Sequence, residues 1–100
     1  MPYEQSVEVA LADDVLIRFS RSGRPIERYA VVLLLRIDGD WQEVRLFDNH
    51  LGTHHMHRYT PEEGKQPAEV FHPGPINAAM GEAIEHLKSH WEAIVQPWRT

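Results

Sequence analysis

No cysteine occurs anywhere in the chain. Disulfides and thiolate metal sites are therefore excluded, and any bound ion has to be held by imidazole and carboxylate groups. A cysteine-free chain suits a reducing compartment, and a cytoplasmic location is expected. Long hydrophobic runs are missing too: the longest, YAVVLLL at 29–35, falls far short of the roughly 20 residues that cross a bilayer. No charged segment leads into an apolar stretch of the secretory-leader kind, so a soluble protein with no membrane partner is expected. Several chemical signatures are also absent. The chain has no Ser or Cys nucleophile motif, no glycine-rich phosphate loop and no carboxylate pair suited to glycoside hydrolysis. It has no internal repeats, and no organic cofactor is expected.

What remains is ordinary globular material. The 100 residues are 42% hydrophobic and 25% charged, unlike a disordered chain of low hydrophobicity and high charge. A chain this short builds one core, because two halves would each bury too little surface to offset chain entropy, and residues 1–100 read as a single domain. The formal net charge of −5 argues against broad electrostatic attraction to nucleic acid. That charge is unevenly spread. Residues 1–14 carry Glu4, Glu8, Asp13 and Asp14 with no Lys or Arg, residues 15–60 carry seven arginines against five acids, and residues 61–100 carry six acids against Lys65, Lys88 and Arg99.

Hydrophobic periodicity divides the chain into strands followed by a helix. Residues 6–12 alternate Val7, Val9 and Leu11 with Ser6, Glu8 and Ala10, and residues 15–22 alternate in the same way. Residues 27–37 are apolar at both parities, the pattern of a central strand with material on both faces. The DGD at 38–40 is a tight hairpin signal leading into a strand at 41–48, and NHLG turns the chain into another at 53–60. Residues 61–74 read as a loop with a short extended piece at Val70 and Phe71. From 75 to about 96, Ile76, Met80, Ile84, Leu87, Trp91 and Ile94 recur at helical spacing, with Pro75 suited to the first turn and Pro97 ending the run. The expected fold class is α+β: an antiparallel meander sheet of about five strands with one C-terminal helix packed on one face. One helix leaves the other sheet face bare and partly apolar, so a homodimer or capture of a partner protein is expected there.

The chemically unusual stretch is FDNHLGTHHMHRYT at 47–60, which holds four of the seven histidines. If strands 41–48 and 53–60 pair, alternation sends His55 and His57 to one face with Val44, Leu46 and Asp48. His54, Met56 and Arg58 go to the other with Trp41, Glu43, Arg45 and Phe47. A four-residue loop at 49–52 sets Glu43 opposite Arg58, whereas a two-residue loop sets Arg45 opposite Arg58; the first avoids a like-charge pair and is favoured. Three readings of the cluster follow. In the structural one, His55 and His57 sit at the edge of the helix-covered core, hydrogen-bonded to backbone or Asp48, and His50 and His54 are exposed. In the catalytic one, the set is His54, His55, His57, Arg58 and Tyr59, and the chemistry is metal-independent RNA cleavage. One histidine takes the 2′-hydroxyl proton, a second protonates the leaving 5′-oxygen, and Arg58 with Tyr59 holds the phosphate. In the metal reading, the His55-x-His57 pair binds a divalent ion with Asp48 or His50 as a third ligand. His86 and His90, one helical turn apart, read as a solvated flank of the helix.

The order of these features resembles the small TumE-type toxins of bacterial toxin–antitoxin systems. The likeness spans residues 27–60: a central strand, then W…RLFDN, then the His-rich HLGTHHMHRY. The alternative it points to is a small uncharacterised bacterial domain. It implies a growth-inhibiting action on RNA or translation, a small cognate antitoxin as partner, and Asp48, Asn49, His54, His55 and His57 as matching positions. Beside it stands a second class, a non-catalytic interaction module whose bare sheet face binds itself or another protein.

Overall fold

The structure, a computed structural model, describes residues 4–99; residues 1–3 and 100 of the expected single domain lie outside them. Strands β1 (Glu4–Ala12), β2 (Val15–Ser22), β3 (Arg28–Ile37), β4 (Asp40–Asp48) and β5 (His54–Thr60) each run antiparallel to the one before. At the β3–β4 turn, Asp38 and Gly39 take φ values of 52° and 87°. A tight hairpin turn of the mirror type needs both to be positive, which is why Asp-Gly marks it in sequence.

Two more strands occupy the segment that reads as a loop. β6 (Gly64–Lys65) and β7 (Glu69–His72) both pair with β5, and β7 contains the extended piece expected at Val70 and Phe71. The sheet therefore has seven strands in the order β1-β2-β3-β4-β5-β6, with β7 also against β5. Stretches this short show no period, so their pairing becomes visible only when β5 offers them an edge. Helix α1 (Ile76–Val95) follows Pro75 and ends in a 3-10 turn, Gln96–Trp98, that contains Pro97. The architecture is α+β, an antiparallel meander with a single C-terminal helix over one face.

The core lies between that helix and the sheet. β3 contributes Tyr29, Val31, Leu33 and Leu35, and α1 returns Ala79, Met80, Ala83 and Leu87. Ala79 and Ala83 are four residues apart and fully buried, and their small side chains let the helix lie close to the strands. On the opposite face β3 presents Val32 and Leu34, with Leu16 of β2 and Leu46 of β4 beside them in register. Leu34 is only 3% exposed although it points away from the helix, so β3 is apolar on both sides as its composition predicts. Among the described residues no helix covers this second face, and no helix is long and apolar enough to cross a membrane.

One irregularity changes the faces of β4. Leu33 pairs with Arg45 but Leu34 pairs with Glu43, which leaves Val44 as the extra residue of a β-bulge. Val44 is 1% exposed and sits in the helix-side core. Strict alternation puts Val44 with His55 and His57, and Trp41 and Glu43 with His54; the bulge reverses both. Trp41 pairs with Arg36, and Glu43 with Leu34, on the bare face.

Candidate functional site

The histidine hairpin is positioned by Asn49. Its side-chain oxygen accepts the Tyr29 amide N–H at 3.0 Å, and its side-chain nitrogen donates to the Glu27 carbonyl at 2.8 Å, which fastens the end of β4 to the start of β3. The His50 N–H donates to the Asp48 carboxylate at 3.3 Å. A single 3-10 turn, His50–Gly52, then carries the chain into β5. The resulting register pairs Arg45 with Arg58, Leu46 with His57, Phe47 with Met56 and Asp48 with His55. The favoured alternative, Glu43 opposite Arg58, is thereby overturned. Electrostatics within the hairpin does not decide the register, because Glu69 of β7 reaches across to Arg58, Nε to Oε2 at 2.9 Å.

The five candidate catalytic residues are divided by the sheet. His55 and His57 share the bare face with Asp48 and Leu46, and Tyr59 joins them two residues on. His54 and Arg58 face the helix with Phe47, Met56 and Arg45. Arg58 therefore cannot hold a phosphate beside His55 or His57 without crossing the sheet.

His54 is held at both nitrogens. Nε2 lies 2.8 Å from the Gly74 carbonyl, which can only accept, so Nε2 carries the proton. Nδ1 then accepts from the Tyr29 hydroxyl at 2.9 Å. Burial first, and the Asp48 carboxylate second, push that hydroxyl up to about 12, which keeps it a donor. His54 is therefore half-buried within the fold and not exposed. The adjacent His72 belongs to the same network, although sequence reading passes over it as part of a loop. Its Nδ1 accepts the Gly74 N–H at 2.9 Å and its Nε2 faces Glu82 of α1 at 3.3 Å. A Cβ at position 74 would meet the His72 ring at 2.6 Å, so only glycine lets this backbone approach so closely.

His55 and His57 are less constrained. His55 Nε2 bonds the Thr53 hydroxyl at 2.6 Å, and His57 Nδ1 donates to the Gln66 carbonyl at 3.0 Å. Both are half-buried on the face away from α1, so they do not edge the helix-covered core. Tyr59 donates weakly to Glu43 at 3.5 Å, and burial, followed by that carboxylate, pushes its phenol upward. His50 is exposed. No group of three or more His, Asp or Glu side chains among the described residues could hold a metal ion. Of the proposed ligands, His55, His57 and Asp48 share the bare face, and His54 points to the opposite one.

A family model for a domain of unknown function, DUF7718, matches residues 3–99. The chain belongs to the DUF7718 family. Neither the curated proteins nor the solved structures give a match. In this DUF7718 chain, sequence reasoning misses a second constellation that lies on the helix side of the same hairpin. There Arg45 and Arg58 flank a cleft of about 170 Å³ walled by Phe47, Phe71 and Met56 and bordered by Glu82 and His86 of α1. Of the two flank histidines, His90 is exposed, whereas His86 is half-buried, edge-on to Phe47 and stacked on His90 at 4.5 Å. Burial lowers its affinity for a proton, with His90, Arg45 and Arg58 acting in the same direction and Glu82 against them. The sequence does carry one sign of this cleft, the two-residue-loop register that joins Arg45 to Arg58, set aside because it places like charges together.

Proposed function

We propose that this protein is a non-catalytic interaction module that pairs with a second copy of itself through the bare sheet face. The observation that carries this reading is that face. Val32, Leu16 and Leu46, all half-buried, form its apolar centre around the buried Leu34, and Trp41, 40% exposed, and Val70, 67% exposed, extend it. Val70 pairs with His55, which sets it on this side of β7. Five strands at about 4.8 Å spacing and roughly eight residues at 3.3 Å give about 600 Å² in projection. Side-chain relief raises the accessible area towards the roughly 800 Å² per partner of a stable interface.

Part of the charge on this face is engaged within the chain. Arg18 and Glu8 form an ion pair at 2.8 Å, and Arg36 lies 5.5 Å over the Trp41 ring. Two sheets packed at about 10 Å would interleave their apolar side chains. Dilution supplies the test. On going from high to low concentration, the backbone amide resonances of Val32, Leu34, Leu46 and His57 should shift together while those of α1 stay fixed. Shifts confined to the helix face would contradict this use of the sheet.

A second reading, a toxin-like action on RNA or translation with a cognate antitoxin as partner, is supported by two observations. One is the resemblance over residues 27–60. The other is that His55 and His57 share a face with Tyr59, and each keeps one ring nitrogen with no hydrogen bond among the described residues. In this form the reading uses His55, His57 and Tyr59 without His54 or Arg58. Induction in a bacterial host should then arrest growth, and His55→Ala with His57→Ala should restore it at equal protein level. Normal growth on inducing the unaltered chain would eliminate the reading.

A further inference from the structure

We propose that the cleft between β4, β5, β7 and α1 binds an oxyanion of phosphate size, free or carried as a phosphate group, with Arg45 as its principal ligand. The site lies on the opposite side of the sheet from the self-association surface, so the two proposals stand or fall separately.

Arg45 carries the argument. Its side chain is half-buried, its Nε is inaccessible to solvent, and that Nε has no hydrogen-bond partner. Its Nη1 finds only the Met56 thioether, a weak acceptor, at 3.6 Å. A guanidinium whose Nε is removed from water without an acceptor is an unfavourable arrangement, and folds ordinarily supply a carboxylate at such a position. Two carboxylates are close and neither hydrogen-bonds Arg45: Glu69, whose charge also favours the Arg45 guanidinium, holds Arg58 Nε with Oε2 at 2.9 Å, and Glu82 Oε2 faces His72 Nε2 at 3.3 Å. The cationic partner directly across the strand pair is Arg58. Like charges opposite one another are destabilising, and an anion between two guanidiniums turns that repulsion into two charge-assisted hydrogen bonds.

The surroundings suit a small anion. Phe47 and Phe71 stand edge to face, 4.9 Å between ring centres, and form an apolar wall that strengthens any charge contact made against it. His86 brings an imidazole to the helix side of the cleft. The volume of about 170 Å³ is below the roughly 300 Å³ at which pockets begin to enclose whole organic ligands. It admits a phosphate and leaves the remainder of a phosphate ester outside.

The test is an NMR titration of the full chain, following the arginine Nε–H resonances, with inorganic phosphate, adenosine 5′-monophosphate and a short RNA in separate arms and chloride at matched ionic strength as control. The expected result is a saturating downfield shift of the Arg45 Nε–H in at least one arm and none with chloride. The arm with the tightest binding identifies the source of the phosphate: free, monoester or diester. Arg45→Gln should weaken binding roughly tenfold to a hundredfold, the worth of a charge-assisted hydrogen bond. If that variant does not fold, Arg45→Met, similar in volume and free of buried charge, takes its place and should show the same loss. An Arg45 resonance that moves no further in any arm than with chloride, or binding that survives loss of the guanidinium, overturns the proposal.

Discussion

Leu87→Ala is expected to lower the free energy of unfolding by about 3 kcal/mol, seen as a fall in Tm on the order of 15 °C. Leu87 is fully buried at the middle of α1, facing the β3 side chains that form the centre of the core. The truncation removes about three methylene equivalents of burial. It also leaves a void that cannot collapse, because Ala79 and Ala83 on the same helix face already hold the helix close to the sheet. A chain of 100 residues with a stability of about 5–10 kcal/mol loses a large fraction of it in this way. Denaturant titration checks the size of the effect, and an unchanged m value shows that the folded state is otherwise intact. Lys88→Ala, one residue on and exposed, should change stability by no more than about 0.5 kcal/mol.

His54→Ala should destabilise the fold by about 2–4 kcal/mol, whereas His55→Ala and His57→Ala should each stay within roughly 1 kcal/mol. The three residues are near neighbours in sequence but differ in what their loss leaves behind. Removing the His54 ring strands the Tyr29 hydroxyl and the Gly74 carbonyl together, both part-buried. It also removes the ring that packs against Phe71 and His72 at 6.2 and 5.9 Å. His55 loses a bond to an exposed threonine, and His57 a bond to one carbonyl. Tyr29→Phe, which deletes only the hydroxyl, should account for about 1 kcal/mol and should couple to His54→Ala in a double-mutant cycle. Equal losses at positions 54, 55 and 57 would show that the sheet does not divide them as described.

What could be read from the sequence follows from how local each feature is. The two-sided apolar character of β3, the Asp-Gly turn before β4 and the helical spacing of Ile76, Met80, Ile84 and Leu87 are properties of a few neighbouring residues, and each appears in the fold. The division of the hairpin into His55 and His57 against His54 and Arg58 follows from alternation and does not depend on loop length. The register does depend on it, and its determinant lies far off in the chain: Asn49 bonds to residues 27 and 29. The neutralisation of Arg58 comes from Glu69, in a strand too short to show a pattern. The Val44 bulge has no local signature either, since a valine in a strand reads the same whether or not it is paired. Like-charge avoidance therefore points to the wrong register and hides the cleft that the true register forms.

The bare sheet face is the proposed working surface, and sedimentation equilibrium tests this most directly. The unaltered chain should show a mass approaching twice the 11.6 kDa of one copy at concentrations on the order of 100 μM, in the range of weak, specific self-association. Trp41→Glu with Val70→Glu, at the two large hydrophobic residues most open to solvent, should return it to a single copy with an unchanged circular dichroism spectrum. A single-copy mass for the unaltered chain throughout that range, or a dimer indifferent to both substitutions, would contradict it.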